Sequence, residues 1–334
     1  MFAVHKFIHI FAHHFQRYPE MKYRLAIIFL LLINTTSIML LPAQNNLTGY
    51  NYSYLSINEG LCDNYIRDIH MDQMGFIWIG TSNGLDRYDG YELKHYSAGE
   101  ALPNRFIESN YIYDIAEDES MHLWVASDAG IMRIDLQREE ISFMKDYEGE
   151  HCEVLSSPVQ SIFIDESQNL WIGKGDCLAY LVLNREREIE QIQILKKDVD
   201  IRTIVRHGSE IWAGGLNQLL RFRINNPGKF VQIPLSTNTD FSRMTINTLF
   251  SYGDYLWIGT REGLYCYNTP GEKMTSYLHN PDNPNSISSN HVSDLATNES
   301  GDIIIATRNG VDIFKRNEQF VHFRKGRNGL ALND

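Results

Sequence analysis

One tetrapeptide, Trp78-Ile79-Gly80-Thr81, returns through the chain in close variants at a nearly fixed interval. Trp124 begins Trp-Val-Ala-Ser, Trp171 begins Trp-Ile-Gly-Lys, Trp212 begins Trp-Ala-Gly-Gly, and Trp257 begins Trp-Ile-Gly-Thr. Ile304 stands in for the tryptophan in a sixth copy, Ile-Ile-Ala-Thr. Successive anchors are 46, 47, 41, 45 and 47 residues apart, and they use all five tryptophans of the chain. Chance does not place every Trp at one phase of such a period, so the chain is built from repeats.

Each copy has the pattern of four short strands. An alternating segment such as 65–71 precedes a turn at Asp72-Gln73-Met74-Gly75, and the anchor strand follows. A second turn ends six residues after the anchor at Gly84, Gly130, Gly263 and Gly310, where a tight turn favours positive φ. Cys177 and Gln218 take that place in the third and fourth copies, which predicts distorted or longer turns there. Ten residues after each anchor comes an apolar side chain (Tyr88, Ile134, Leu181, Phe222, Tyr267, Phe314), and a short aromatic strand such as 93–96 completes the unit. Small residues two after the anchor (Gly80, Ala126, Gly173, Gly214, Gly259, Ala306) allow neighbouring sheets to approach closely. Four strands per period of 40 to 50 residues predicts an all-β fold: a β-propeller with six four-stranded blades plus the start of a seventh.

The residues Asn58-Glu59-Gly60-Leu61, Asn64, Ile69, Asp72, Gly75, Trp78-Ile79-Gly80-Thr81 and Gly84-Leu85 resemble the two-component regulator propeller repeat. The resemblance covers residues 50–334. It implies the periplasmic sensor region of hybrid two-component histidine kinase/response regulators of Bacteroides-type bacteria, with an oligosaccharide as ligand. It further implies a second propeller, a β-sandwich, a membrane helix, a histidine kinase and an effector domain beyond this chain, and a homodimer in the full-length regulator. On that reading the chain is not itself an enzyme, uses no cofactor, and meets a membrane only through segments it lacks.

Ahead of the repeats, residues 1–20 hold His5, His9, His13 and His14 and match nothing that follows. Met21-Lys22-Tyr23-Arg24 and the apolar run to Leu41 read as a signal peptide over 21–44. Translation is therefore expected to begin at Met21, with 1–20 a mis-called upstream extension, so the His cluster is not taken as a metal site. Residues 51–58 are expected to form an outermost strand. Residues 329–334 repeat the phase of 60–65, so a truncated propeller, the N-terminal fragment of a longer regulator, is expected over 50–334.

Charge and motifs narrow the function. Formal net charge is -12, and about -15 once 1–44 are set aside, which attracts neither nucleic acid nor anionic lipid. Cys62, Cys152, Cys177 and Cys266 fall at different phases of the repeat, so no disulfide or zinc frame recurs, and buried free thiols are expected. No phosphate-binding loop, nucleophile elbow or zinc-protease helix is present. Asp72, Asp118 and Asp165 recur six residues before an anchor and read as turn caps rather than calcium ligands. The Trp stripe reads as core between blades rather than a sugar platform.

Binding residues are expected in the loop leading into each blade and in the turn after its second strand, which form one face of the disc. Asn64, Asn110 and Asn290 recur fourteen before their anchors and read as backbone caps. The less regular members are the ligand candidates: Asn83, Lys174, Arg261, Arg308, Asn309 and His291. A propeller lyase or glycosidase, with Asp128 and Glu262 as acid and base, and a pure interaction scaffold are the alternatives.

Overall fold

The computed structural model describes residues 55–100, 104–224, 226–234 and 244–324. The expected upstream extension and signal peptide, and residues 329–334 expected to open a seventh blade, lie outside these, as do 51–54 of the expected outer strand. The remainder of that segment is not a strand. Ile57–Glu59 forms a 3-10 turn, because Ser56 and Glu59 make a reciprocal capping box that satisfies its N-terminal N–H groups.

The described residues fold into six antiparallel four-stranded sheets, each a simple meander. Blade 1 comprises β1 (Ile66–Met71), β2 (Ile77–Thr81), β3 (Gly84–Tyr88) and β4 (Leu93–Tyr96). Blade 2 comprises β5 (Ile112–Glu117), β6 (His122–Ser127), β7 (Gly130–Asp135) and β8 (Glu140–Phe143). Blade 3 has β9 (Ser161–Ile164), β10 (Leu170–Gly173), β11 (Cys177–Leu183) and β12 (Ile189–Lys197). Blade 4 has β13 (Ile201–His207), β14 (Glu210–Gly215), β15 (Gln218–Arg223) and β16 (Asn226–Gln232). Blade 5 follows with β17 (Ile246–Tyr252), β18 (Tyr255–Thr260), β19 (Leu264–Asn268) and β20 (Lys273–Tyr277). Blade 6 ends the described chain with β21 (Val292–Thr297), β22 (Ile303–Thr307), β23 (Gly310–Phe314) and β24 (Phe320–Phe323). The first strand of each blade lies beside the first strand of the next, so the sheets radiate from a shared axis. That arrangement is a β-propeller.

The anchors are the wedges between blades. Trp78 packs on Ile112, Ile115 and Leu123 of blade 2, and Trp124 on Ile162 and Leu170 of blade 3. Trp171 meets Ile201 and Ile211, Trp212 meets Ile246 and Leu256, and Trp257 meets Val292 and Ile303. Four of the five indoles are wholly buried and Trp257 is 6% exposed. The glycine two residues on makes this approach possible. A Cβ on Gly80 would stand 2.7 Å from Ile112 Cγ2, and one on Gly259 would stand 2.6 Å from Val292 Cγ1. Ile304 fills the same place in blade 6 but belongs to a separate cluster with Ala296 and Val311. Ile66, Ile69 and Ile79 of blade 1 form another, and among the described residues no apolar cluster joins blade 6 to blade 1.

Polar groups recur with the indoles in several of the blades. Asp72 accepts from the N–H groups of Met74 and Phe76 with one oxygen and from Trp78 Nε1 with the other at 2.8 Å. Asp118 does the same for Ser120, His122 and Trp124, and Asp165 for Ser167, Asn169 and Trp171. The recurring carboxylate is thus a turn cap, and it is also the partner a buried indole N–H needs. Nine residues after the anchor, Arg87, Arg133 and Arg221 set their guanidinium groups 5.8, 5.8 and 5.6 Å from the indoles of Trp78, Trp124 and Trp212. Around the axis, Asp68 accepts from Ile115 N–H at 2.7 Å and Asp114 from Ile162 N–H at 2.9 Å, tying each blade to the next. Thr203 accepts from Leu249 N–H at 3.2 Å in the same manner. Between blades 3 and 4 the shorter Ser161 replaces the aspartate, and its Oγ has no partner among the described residues.

Two turns differ from expectation. Cys177 and Gln218 do not lengthen their connections. Lys174 N–H reaches Cys177 O at 2.9 Å, and Gly215 pairs with Gln218, which leaves two-residue turns as in the glycine-bearing blades. In blade 4 the left-handed residue moves one place back, to Asn217 at φ 58°.

Blades 4 and 5 also lack the capping aspartate, because their first hairpins turn on two residues, Gly208-Ser209 and Gly253-Asp254. Trp212 Nε1 consequently has no partner among the described residues. His207, beside that turn, is buried, with Nδ1 2.8 Å from Ser251 Oγ and Nε2 2.6 Å from Thr269 Oγ1. Burial holds its pKa below the ordinary histidine value, so the folded protein keeps it neutral. Between that depressed pKa and about 6.5 the unfolded chain binds more protons, so this site's contribution to stability falls as pH drops through the window. Thermal unfolding followed from pH 7.5 to pH 5 should show a smaller loss for His207→Gln than for the native chain. Parallel curves would contradict it.

Candidate functional site

The loop leading into a blade and the turn after its second strand meet at one end of each sheet, held by backbone hydrogen bonds. Ser82 N–H donates to Tyr65 O (3.0 Å), Asp128 N–H to Tyr111 O (3.2 Å), Arg261 N–H to Thr245 O (3.1 Å) and Arg308 N–H to His291 O (3.3 Å). The two loop sets therefore form one face, with the Asp-capped hairpins at the opposite ends of the strands.

Residues that recur on this face serve the fold. Asn64 Oδ1 accepts from Ile57 N–H at 2.9 Å, Asn110 Oδ1 from Ala98 N–H and Asn290 Oδ1 from His279 N–H, both at 2.7 Å. Each closes the connection that arrives at its blade. Thr81, Ser127, Thr260 and Thr307 cap their own turns by donating to the carbonyl three residues on.

The six candidates separate into three kinds. Asn83 and Asn309 are spent locally. Asn83 Oδ1 accepts from Asn110 Nδ2 at 3.3 Å, and Asn309 Nδ2 donates to Ser288 O at 2.7 Å. Lys174 occupies the place of the capping Thr or Ser and is only 4% exposed. Its ammonium bonds Ser157 Oγ and, at 3.4 Å, Val154 O. Gln160 Oε1 and Ser161 Oγ, beside the same turn, are buried without partners.

Arg261 and Arg308 hold the same turn position in blades 5 and 6, and His291, whose carbonyl accepts from Arg308 N–H, leads into blade 6. Burial lowers the His291 pKa, and the positive charges of Arg308 and Arg261 lower it further, so all three share one electrostatic neighbourhood. Both arginines are exposed, and neither guanidinium has a carboxylate partner among the described residues. The 47 residues between Arg261 and Arg308 match the interval between the anchors of blades 5 and 6, so the repeat places the two arginines at one offset of neighbouring blades.

The candidate acid and base of the enzyme alternative are engaged and separate. Asp128 Oδ1 accepts from Tyr113 Oη at 2.8 Å in blade 2, a contact that together with burial pushes the Tyr113 pKa up to about 12. Glu262 in blade 5 accepts from Thr245 N–H at 3.2 Å.

One grouping escaped the sequence reading. The Cys62 thiol, the buried Asp86 carboxylate and the His95 ring converge on blade 1, from a loop and two strands. Burial first, then the Asp86 hydrogen bond and charge, push the Cys62 thiol far above its ordinary range. All four cysteines are free, as expected; Cys177 and Cys266 are buried, while Cys62 and Cys152 are half-buried.

The comparisons with known proteins fit this geometry. Residues 60–83 match the family model described as two component regulator propeller. No curated protein sequence matches the chain. Among solved structures, the extracellular domain of the hybrid two component system BT3049 from B. thetaiotaomicron superimposes with a TM-score of 0.67 at 20% identity, over 84% of this chain and 38% of that one. The corresponding domain of BT4673 from the same organism gives 0.54 at 17% identity, over 75% and 38%. Virginiamycin B lyase from Staphylococcus aureus, in a catalytically inactive form, gives 0.58 at 13% identity, over 79% and 86%. The chain thus spans well under half the length of the two extracellular domains, and at these identities the likeness is one of fold. Residues 60–83 of blade 1 thus resemble the two component regulator propeller repeat, within a chain that folds as six four-stranded propeller blades.

Proposed function

We propose that the chain is the ligand-sensing propeller of a hybrid two-component regulator, exported to the periplasm, and that it binds an oligosaccharide on the loop face. The observation that carries this reading is the Arg261–His291–Arg308 cluster, unpaired cationic surface in a protein of net charge -12. A folding requirement would repeat in every blade, whereas this turn position is arginine only in blades 5 and 6 and is Ser82, Asp128, Gly175 or Leu216 in the others. Two guanidinium groups beside an imidazole suit a saccharide bearing a carboxylate or sulfate, since arginine forks bind such groups through paired hydrogen bonds. Occupancy is then passed to a homodimer, and to a kinase on a segment beyond this chain, by favouring one of two states. No helix among the described residues is long and apolar enough to cross a membrane.

Calorimetric titration of a panel of neutral and uronic-acid oligosaccharides tests the reading. An acidic member binds without being consumed. Arg261→Ala and Arg308→Ala each weaken it by about 10- to 100-fold, the loss of one hydrogen-bonded charge at roughly 1.5–3 kcal/mol. Equal affinity in the variants, or turnover of the saccharide, would overturn it.

A further inference from the structure

Cys62, Asp86 and His95 place a thiol, a carboxylate and an imidazole around one point. Cys62 Sγ lies 2.9 Å from Asp86 Oδ1 and 3.3 Å from His95 Nδ1, and those two atoms are 2.6 Å apart. Asp86 is fully buried, whereas the His95 side chain is 46% exposed, so the cluster opens to solvent on one side.

Blade 6 carries the same carboxylate and imidazole without the sulfur. There Asp312 Oδ2 accepts from Ser288 N–H at 2.7 Å while Oδ1 meets His322 Nδ1 at 2.6 Å. Asp86 Oδ2 likewise accepts from Cys62 N–H, at 2.9 Å. Cys62 and Ser288 both sit sixteen residues before their anchors, and Asp86 and Asp312 both sit eight after. The carboxylate–imidazole clasp is therefore shared by blades 1 and 6. The sulfur is peculiar to blade 1.

A nucleophile triad does not explain the sulfur. Cys62 Sγ and Asp86 Oδ1 address the same ring nitrogen, so the imidazole cannot take a proton at one nitrogen while the carboxylate orients the other. Metal coordination uses that convergence. We propose that Cys62 Sγ, Asp86 Oδ1 and His95 Nδ1 bind a divalent cation of the zinc class, with a fourth position open to solvent beside His95. A thiolate, an imidazole and a carboxylate are the donors zinc accepts. Zinc bond lengths of about 2.0–2.3 Å require tetrahedral edges of about 3.3–3.6 Å, so the donors spread by only about 0.3–0.7 Å from their positions. Binding releases the Cys62 thiol proton to water as the metal–thiolate bond forms. His95 coordinates through the Nδ1 lone pair and keeps its proton on Nε2. The Cys62 N–H on the other oxygen of Asp86 holds that carboxylate in place. The ion ties the leading loop of blade 1 to β3 and β4.

Cobalt(II) titrated into the full chain tests the site, because its thiolate charge-transfer absorption reports sulfur ligation whatever the N-terminal histidines bind. The native chain should develop that band at one equivalent and lose it on adding zinc. Cys62→Ser gives blade 1 the residue that blade 6 already carries, so it keeps the fold and should abolish the band. His95→Ala should weaken zinc affinity by about 10- to 100-fold, at least the loss seen on removing outer-shell support. No band in the native chain, a band that survives in Cys62→Ser, or unchanged zinc affinity in His95→Ala would overturn the proposal.

Discussion

Trp124→Ala is expected to lower the unfolding free energy by about 3–5 kcal/mol, the range for removing a wholly buried indole. Trp124 is 0% exposed and is the wedge between blades 2 and 3, against Ile162 and Leu170. Its loss opens a cavity at an interface rather than within a sheet, and it strips Asp118 Oδ2 of the indole N–H it accepts at 3.0 Å. Urea unfolding followed by circular dichroism measures the change. A cost below about 1 kcal/mol, in the range of surface substitutions, would show that the indoles do not hold the blades together.

Asp165→Ala should be nearly as costly, by about 2–5 kcal/mol, through a different mechanism. One oxygen of Asp165 caps the hairpin by accepting from Ser167 and Asn169 N–H. The other accepts from Trp171 Nε1 and from Tyr180 Oη, both at 3.1 Å. Alanine leaves the buried indole N–H without an acceptor, deprives the tyrosine of one, and frees the turn. Blade 4 is the internal reference, since Trp212 already lacks such a partner. The same urea experiment decides. If Asp165→Ala costs no more than Ser209→Ala, in a hairpin with no capping carboxylate, then the recurring aspartate is incidental.

The sequence announced the wheel because its determinants are local and repeat. Each anchor, the aspartate six before it and the small residue two after it lie within one blade, so spacing alone fixed their roles. What spans blades was harder to read. The arginine nine after the anchor stacks on the indole only once the sheet has formed, and the aspartates of β1 and β5 reach backbone of the next blade. The expected long turns at Cys177 and Gln218 came from treating glycine as obligatory at one offset. Asn217 shows that the left-handed residue can shift by one.

The candidate face was legible in outline. Lys174 was singled out for breaking the pattern, and it does, but as a buried ammonium in the place of a turn-capping hydroxyl. Asn83 and Asn309 broke the pattern less than their identities suggested, since backbone or a neighbouring amide absorbs them. Cys62, Asp86 and His95 are 24 and 9 residues apart and belong to different strands or loops, so no spacing rule could unite them.

On the proposed function, residues that repeat build the disc and the loop-face arginines of blades 5 and 6 meet the ligand. A crystal structure of the chain with an acidic disaccharide bound tests this most directly. The saccharide's anionic group should lie between the Arg261 and Arg308 guanidinium groups, within reach of His291. Density against the Asp-capped hairpins at the opposite end of the strands, or none on the loop face at saturating ligand, would contradict it.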